Sequence, residues 1–443
     1  MIQTDILLAG SGCSALYFAL NLPQDLKILL VTKKDFESSD SYLAQGGICM
    51  LKDESDFDLF FEDTMKAGHR ENDPLSVEIM ISSSHEIIRD LISYGVNFAK
   101  NADGSLAFTR EGGHSSYRIL YHEDVTGKEI TSHLMKEVRK RPNIIMEEYT
   151  RLVDLILEDD LCYGGILRKK DGSLETVFSD YTVLATGGIG GLYQHSTNFP
   201  QLTGDAIAIA LKNGIQLQNI NYIQVHPTTL YTQKNERSFL ISESVRGEGA
   251  LLLDQYGNRF TDELAPRDVV SAAIKKQMEK DGTAFVYEDL RPIGEKALKK
   301  HFPNILEKCQ EEGYDALKRP IPVVPAQHYY MGGVKVNHNS KSSLDGLYAI
   351  GECACNNVHG KNRLASNSLL ESLVFAKRAA YDIRENYQKR PGFKGSGIDL
   401  SAYQDEKALE KSDGRRIIDA IEKRGGASSI PVAYRADLLQ SKS

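Results

Sequence analysis

The opening of the chain, from Asp5 to Thr32, constrains the fold more than any other stretch. Asp5 to Ala9 is an apolar run suited to a buried strand, and Ala15 to Leu22 suits a helix ended by Pro23. Lys27 to Thr32 suits a second buried strand. Between strand and helix, Gly10-Ser11-Gly12-Cys13-Ser14-Ala15 has the form G-x-G-x-x-A. The first glycine permits the tight turn, the second lets the backbone approach a pyrophosphate, and Ala15 lets helix and strand pack closely. This unit predicts a dinucleotide-binding sheet at the amino terminus. The acid that usually ends the second strand and binds ribose hydroxyls is absent. Val31-Thr32-Lys33 stands there, and lysine accepts no hydrogen bond. Ribose recognition then falls to Thr32, backbone or another segment.

Two later segments extend the same fold. Tyr181 to Thr186 reads as a strand running into Gly187-Gly188, and Leu344 to Glu352 as a turn, an apolar strand and a glycine ending on an acid. An acid there is placed to meet the ribityl chain of a flavin. Gly204 to Asn213 reads as a helix begun at Asp205 and closed by Gly214. Residues 220 to 327 differ in texture, with short mixed strands and charged helices such as Val269 to Lys280. They read as an inserted domain. The expected organisation is a nucleotide-binding domain in two parts, 1–219 and 330–390, around an insertion at 220–329. Gln388 to Gly397 reads as a linker, and 391–443 as a short tail. In that tail only Arg415 to Lys423 is amphipathic, with Gly395, Gly397, Gly414 and Gly425-Gly426 expected to interrupt it.

Composition excludes several function classes. At 443 residues the chain exceeds a single core, and its net charge of −8, without a basic cluster, argues against nucleic acid. No apolar stretch is long enough to cross a bilayer, and Met1 to Asp5 has no charged n-region before an apolar run. Six cysteines make no disulfide framework, and Cys353 and Cys355 have no second pair nearby at zinc spacing. The expectation is a cytoplasmic protein with no metal site and no membrane partner.

The polar clusters carry the chemistry. His359 to Glu371 is a polar approach to a helix, since apolar helical spacing begins only at Leu369. Helix starts favour anions, and Arg363 adds a planar fork suited to a carboxylate. Ser41-Tyr42-Leu43-Ala44-Gln45-Gly46-Gly47, Thr109 to Ser115, His226-Pro227-Thr228-Thr229, Pro266-Arg267-Asp268 and Ala326 to Gly333 are further clusters.

In order and spacing, these motifs resemble the succinate dehydrogenase/fumarate reductase flavoprotein superfamily from residue 1 to about 385. The matches are Ala44-Gln45-Gly46-Gly47, His226-Pro227-Thr228, His328-Tyr329 with Gly332-Gly333, and Asn362 to Glu371. Within the superfamily the chain is most similar to the branch that oxidises L-aspartate. The resemblance implies an α/β fold, with a Rossmann-like FAD-binding domain and an inserted α+β capping domain. It also implies that the usual carboxy-terminal helical bundle is missing or shortened. FAD contacts are implied for Gly10, Ser11, Gly12, Cys13, Ser14, Lys33, Ser41, Ala44, Gln45, Gly46, Gly47, Asp205, Glu352, Ser368 and Leu369. Glu111, His226, Arg267, His328 and Arg363 are implied to surround the substrate. Respiratory relatives place a flavin-linked histidine where this chain has Asp40, so non-covalent FAD is implied.

The implied reaction is oxidation of L-aspartate to iminoaspartate. The reduced flavin then passes its electrons to oxygen, giving hydrogen peroxide, or to fumarate, giving succinate. This would be the first step of NAD biosynthesis through quinolinate, with quinolinate synthase as functional partner. The alternative is a soluble fumarate reductase or succinate dehydrogenase. Glu111 argues against it, because a glutamate facing the substrate amine would have no cation to pair with in a plain diacid. The resemblance assigns proton transfer to Arg267, which sits uneasily with a group that is effectively always protonated. A fixed charge at Arg267, with His226 or His328 moving the proton, is the other reading.

Overall fold

The computed structural model describes residues 2–234, 236–390, 392–395, 397–425 and 433–435. In chain order the main elements begin with β1 (Ile2–Ala9), α1 (Cys13–Asn21), β2 (Ile28–Val31) and β3 (Ile144–Glu147). Next come β4 (Arg151–Glu158), β5 (Leu161–Arg168), β6 (Leu174–Leu184) and α2 (Asp205–Lys212). There follow β7 (Ile223–Leu230), β8 (Leu251–Leu253), α3 (Arg267–Asp281), β9 (Val286–Asp289) and β10 (Ile321–Tyr330). The last are β11 (Leu347–Ala349), α4 (Asn367–Asn386) and α5 (Glu406–Lys423).

The first sheet runs β3-β2-β1-β6-β5-β4, with β11 also on β6. Strand β1 is parallel to both β2 and β6. Ile6, Leu8, Ile28 and Leu30 enter one core, while Leu7, Ala9, Leu29 and Val31 enter another. Side chains alternate across a strand, so burying both faces requires the unbroken apolar runs seen in the sequence. The first core takes α1 and α4, and the second takes α2 and α5.

Strand β6 starts seven residues before the expected Tyr181. Its first half pairs antiparallel with β5, and its last residues pair parallel with β11 on the same edge. That first half is only partly buried, so it lacks the apolar run that marks Tyr181 to Leu184. A second, antiparallel sheet, β7-β10-β9-β8, builds its own core from Leu230, Leu252, Val286, Ile321 and helix α3.

The carboxy-terminal segment departs from expectation. Helix α5 begins at Glu406, nine residues before the expected Arg415, and runs through Gly414. Asp405 caps it by accepting from the Ala408 N–H at 3.0 Å. Ile417 and Ile421 enter the second core beside α2. A mid-helix glycine costs about 1 kcal/mol relative to alanine, and burial of this face outweighs it. The expected linker is also anchored. Arg390 donates to Asp345 at 2.6 Å, and the Phe393 ring meets Tyr163 and Phe178 with centroids at 5.6 and 5.5 Å. Pro391, Ser396 and Gly426 lie outside the described residues.

Candidate active site

The turn after β1, the end of β2 and the turn after β6 open onto one cavity of about 1270 Å³, which continues to the second sheet. Pockets for drug-sized ligands span roughly 300–1,000 Å³. This one has room for a dinucleotide and a small acid together. All the residues expected at a cofactor line it except Cys13. The Cys13 thiol is buried, accepts from the Ser41 hydroxyl at 3.3 Å, and is held as thiol because burial pushes its pKa to about 11. The Cys13 N–H donates to Ser41 Oγ at 3.2 Å.

At the nucleotide end, Gly10 adopts φ 129°, and a Cβ there would fall 1.9 Å from the Ala185 carbonyl oxygen. Only glycine fits this turn. Gly12, the N-cap of α1, has no side chain to cap the helix; Ser41 Oγ takes the Cys13 N–H, and the rest of the first turn suits an anion. Lys33 donates to Thr203 Oγ1 at 2.9 Å and Gln201 O at 3.1 Å, and pairs with Asp205 at 3.3 Å. Asp205 also accepts from Arg151 at 2.7 Å, and Arg151 reaches Glu410 on α5 at 3.2 Å. Burial pushes the Asp205 carboxyl up, but Arg151 and Lys33 outweigh it and hold the pKa below the usual value.

Toward the middle, Glu352 accepts from the Tyr330 N–H at 2.9 Å, and a Cβ on Gly188 would lie 2.4 Å from it. Burial, then the nearby Asp40, pushes Glu352 up to about 8. Asp40 accepts from the Phe199 N–H at 3.0 Å, has its other oxygen unpartnered, and is pushed to about 7 by burial. An open helix start beside a buried carboxyl with a single donor fits the pyrophosphate and polyol of FAD.

The far end gathers Glu111, His226, Arg267, His328 and Arg363. Arg267 opens α3, placing its guanidinium where Nε donates to Glu243 Oε2 at 2.5 Å. Arg363 is 7% exposed and donates only to neutral groups, Gln224 Oε1 at 3.2 Å and Ser368 Oγ at 2.8 Å. Its guanidinium lies 4.5 Å from the Tyr329 ring centroid. Burial, reinforced by Arg267, lowers its pKa to about 10. Among the described residues no carboxylate lies within ion-pair distance of it.

The rings of His226 and His328 sit 5.4 Å apart. Burial, with Arg267 and other cations adding to it, holds both well below the ordinary histidine value. Thr197 Oγ1 meets His328 Nδ1 at 2.7 Å, and the Thr228 N–H donates to His226 Nδ1 at 3.2 Å. Glu111 accepts from the Ser366 hydroxyl at 2.6 Å, and burial raises its pKa against Ser366 and Arg267.

Sequence reasoning missed several groups that complete this end. Glu243 and Gln224 lie in segments with no motif to single them out, and Ser366, inside the Asn362 to Glu371 match, was given no role there. Ser366 sits at φ 61°, a left-handed backbone that brings its hydroxyl to Glu111 while it accepts from the Gly47 N–H at 3.2 Å. Fully buried Arg118 donates two bonds to Asp56, at 2.9 and 2.8 Å, and one to His114 Nδ1 at 3.0 Å. His114 therefore carries its proton on Nε2, which donates to the Ala365 carbonyl at 2.9 Å. Burial lowers His114 to about 4, so it stays neutral. The nearest available signal was His114 itself, within the E-G-G-H loop.

A cavity that joins a helix start and buried acids to a buried, cation-rich recess suits a dinucleotide-dependent enzyme acting on an anion. Residues 5–369 match the FAD binding domain family. An L-aspartate oxidase of Clostridium perfringens is 48% identical over 86% of this chain and 86% of its own length. One of Clostridium acetobutylicum is 49% identical over 87% and 89% respectively. The fold of an E. coli quinol fumarate reductase mutant superposes with TM-score 0.83 at 27% identity, covering 99% of this chain and 86% of that one. The chain belongs to the L-aspartate oxidase family of FAD-binding flavoproteins.

Proposed function

We propose that this protein is an FAD-dependent enzyme that oxidises L-aspartate to iminoaspartate. The observation that carries the reading is the pairing of Arg363, buried without a carboxylate, with Glu111, held on the opposite chemistry by Ser366. Among the described residues Arg363 has no ion-paired anion and Glu111 no ion-paired cation. L-Aspartate supplies both, with two carboxylates for Arg363 and Arg267 and an ammonium for Glu111.

FAD contacts are assigned to Gly10, Ser11, Gly12, Ser14, Lys33, Ser41, the loop from Ala44 to Gly47, Asp205, Glu352, Ser368 and Leu369. Asp40 offers no nucleophilic nitrogen, which supports non-covalent FAD. FAD held by these residues would supply a two-electron acceptor for the Cα hydride, and, with the proton shed by the amine, a route to peroxide from oxygen or to succinate from fumarate.

The residues around the substrate orient it and manage protons. Arg363 and Arg267 fix the carboxylates, so the Cα hydrogen is presented in one direction. The ammonium must shed a proton before or during loss of the Cα hydrogen. His226 and His328 are neutral and positioned to accept it, because burial and the neighbouring guanidiniums keep them unprotonated. Arg267 is fixed by Glu243 and supplies constant positive charge. Residues 220–329 act as the capping domain, excluding water from this recess, and 1–219 with 330–390 as the FAD-binding domain. Residues 391–443 form the tail.

Among the described residues no helix is long and apolar enough to cross a membrane. The reading places the protein in the cytoplasm, without nucleic-acid or membrane partners, feeding quinolinate synthase at the start of NAD biosynthesis. Anaerobic flavin bleaching tests it. Bleaching by L-aspartate, reversed by air or fumarate, is expected. Bleaching by succinate and not by aspartate moves the protein to the dicarboxylate reductases, the alternative that the fumarate reductase fold keeps in view.

A further inference from the structure

Gln224, on β7, is 2% exposed and stands behind the two arginines of the recess. Its Oε1 accepts from Arg267 Nη1 at 3.3 Å and from Arg363 Nε at 3.2 Å. Its Nε2 donates to the Arg363 carbonyl and to Asn362 Oδ1, both at 2.8 Å. Both ends of the amide are therefore engaged. One oxygen joins a residue from the first turn of α3 to a residue from the loop before α4, through a strand that belongs to neither. The strand register shifts between Gln224 and Val225 and again after His226, irregularities of the kind that re-aim side chains.

We propose that Gln224 is a positioning residue that sets the separation of the Arg267 and Arg363 guanidiniums and thereby selects four-carbon diacids. The inference rests on the reading of this recess as a dicarboxylate site. Two guanidiniums in a dry site repel each other, and without a shared acceptor they move apart. A neutral amide oxygen holds them together without adding a carboxylate beyond Glu243, leaving N–H groups on both guanidiniums for substrate carboxylates. A carboxylate at the same place would hold them but compete with the substrate. The tie from Nε2 to the Arg363 backbone makes the spacing rigid, and a rigid pair of forks matches one carboxylate separation best.

The test uses the FAD-loaded enzyme and its Gln224→Leu and Gln224→Glu variants. Malonate, succinate and glutarate are titrated separately, following the perturbation of flavin absorption. Wild type is expected to bind succinate about tenfold more tightly than either neighbour, the scale on which one methylene is discriminated. Gln224→Leu is expected to bring the three within about threefold of one another. Gln224→Glu is expected to keep the preference while weakening all three by about tenfold or more. A Leu variant that retains the wild-type preference, or a Glu variant with unchanged affinities, overturns the proposal. If the Leu variant fails to hold FAD, the Glu variant decides by the same criterion. A wild-type enzyme that binds no diacid and is not bleached by aspartate instead overturns the reading of the recess itself. Wild type that binds diacids without length preference overturns only the role of Gln224.

Discussion

The two ends of the cavity handle charge in opposite ways. At the nucleotide end Lys33, Asp205, Arg151 and Glu410 satisfy one another within the protein. At the substrate end, among the described residues, Arg363 hydrogen-bonds to neutral groups and Glu111 to the Ser366 hydroxyl. In the first arrangement each charge has an opposite partner before any ligand arrives. The second carries buried charge whose desolvation is offset only by a bound ligand. The difference teaches that affinity for the cofactor and selectivity for the substrate are built by separate devices.

That contrast can be broken from either side. The largest effect is expected from Arg151→Met, which leaves Asp205 with Lys33 alone. Breaking a buried pair costs about 3–5 kcal/mol, so urea unfolding should show a loss of that order and FAD retention should fall in parallel. An unchanged unfolding midpoint would show that the nucleotide end does not depend on its internal pairs.

Next comes Glu111→Ala. Loss of the ammonium partner should reduce kcat/KM for L-aspartate by about a hundredfold, or roughly 3 kcal/mol, with fumarate reduction by the same variant largely kept. Equal loss of both activities removes Glu111 from amine recognition.

Arg363→Met should separate stability from binding. Replacing an unpaired buried cation with an apolar side chain is expected to stabilise the ligand-free protein by about 1–2 kcal/mol, while succinate no longer perturbs the flavin. Destabilisation of the free protein would mean that Arg363 is satisfied without a ligand, contrary to its neutral partners.

The pH dependence follows from Glu111, whose pKa is raised chiefly by burial. As pH falls through that raised value the carboxyl gains a proton. Aspartate then loses its ammonium partner, and succinate loses a repulsive charge. The selectivity for aspartate over succinate should therefore fall with acidification, by up to about tenfold per pH unit. Comparing kcat/KM for aspartate with the succinate Ki across neutral to mildly acidic pH checks this, because His226 and His328, held well below the ordinary histidine value, stay neutral over that range. A selectivity that rises with acidification removes the assignment.

The smallest effect belongs to Glu410→Gln. Its carboxylate is 43% exposed, and such pairs contribute about 0–1 kcal/mol, so FAD affinity measured by fluorescence should weaken less than about fivefold. A larger loss would give the tail helix a greater part in cofactor retention than its exposure suggests.

The nucleotide-binding unit was legible because each of its constraints is local. Gly10, Gly12 and Ala15 are set by one turn, and the apolar runs of β1 and β2 follow from burial on both faces. Helix α3 was legible for the same reason, running from Arg267 to Asp281 around the expected Val269 to Lys280. The tail was misread where local rules conflicted with packing, as Gly414 weakens an isolated helix yet lies buried against the second core. The first half of β6 was missed because a half-buried strand loses its apolar run.

The sequence by itself determined that a pyrophosphate-accepting turn opens the chain, and its motif order carried the resemblance to the flavoproteins. Only the tertiary structure decided how the charges pair. Asp205 meets Lys33 and Arg151 across long sequence separations, and Gln224 joins Arg267 to Arg363 from three separate elements. Arg118 fixes the His114 tautomer that holds the loop bearing Ser366. A glycine turn is dictated by the dihedral angles of its own residues, whereas a shared hydrogen bond depends on distances that exist only once the chain has folded.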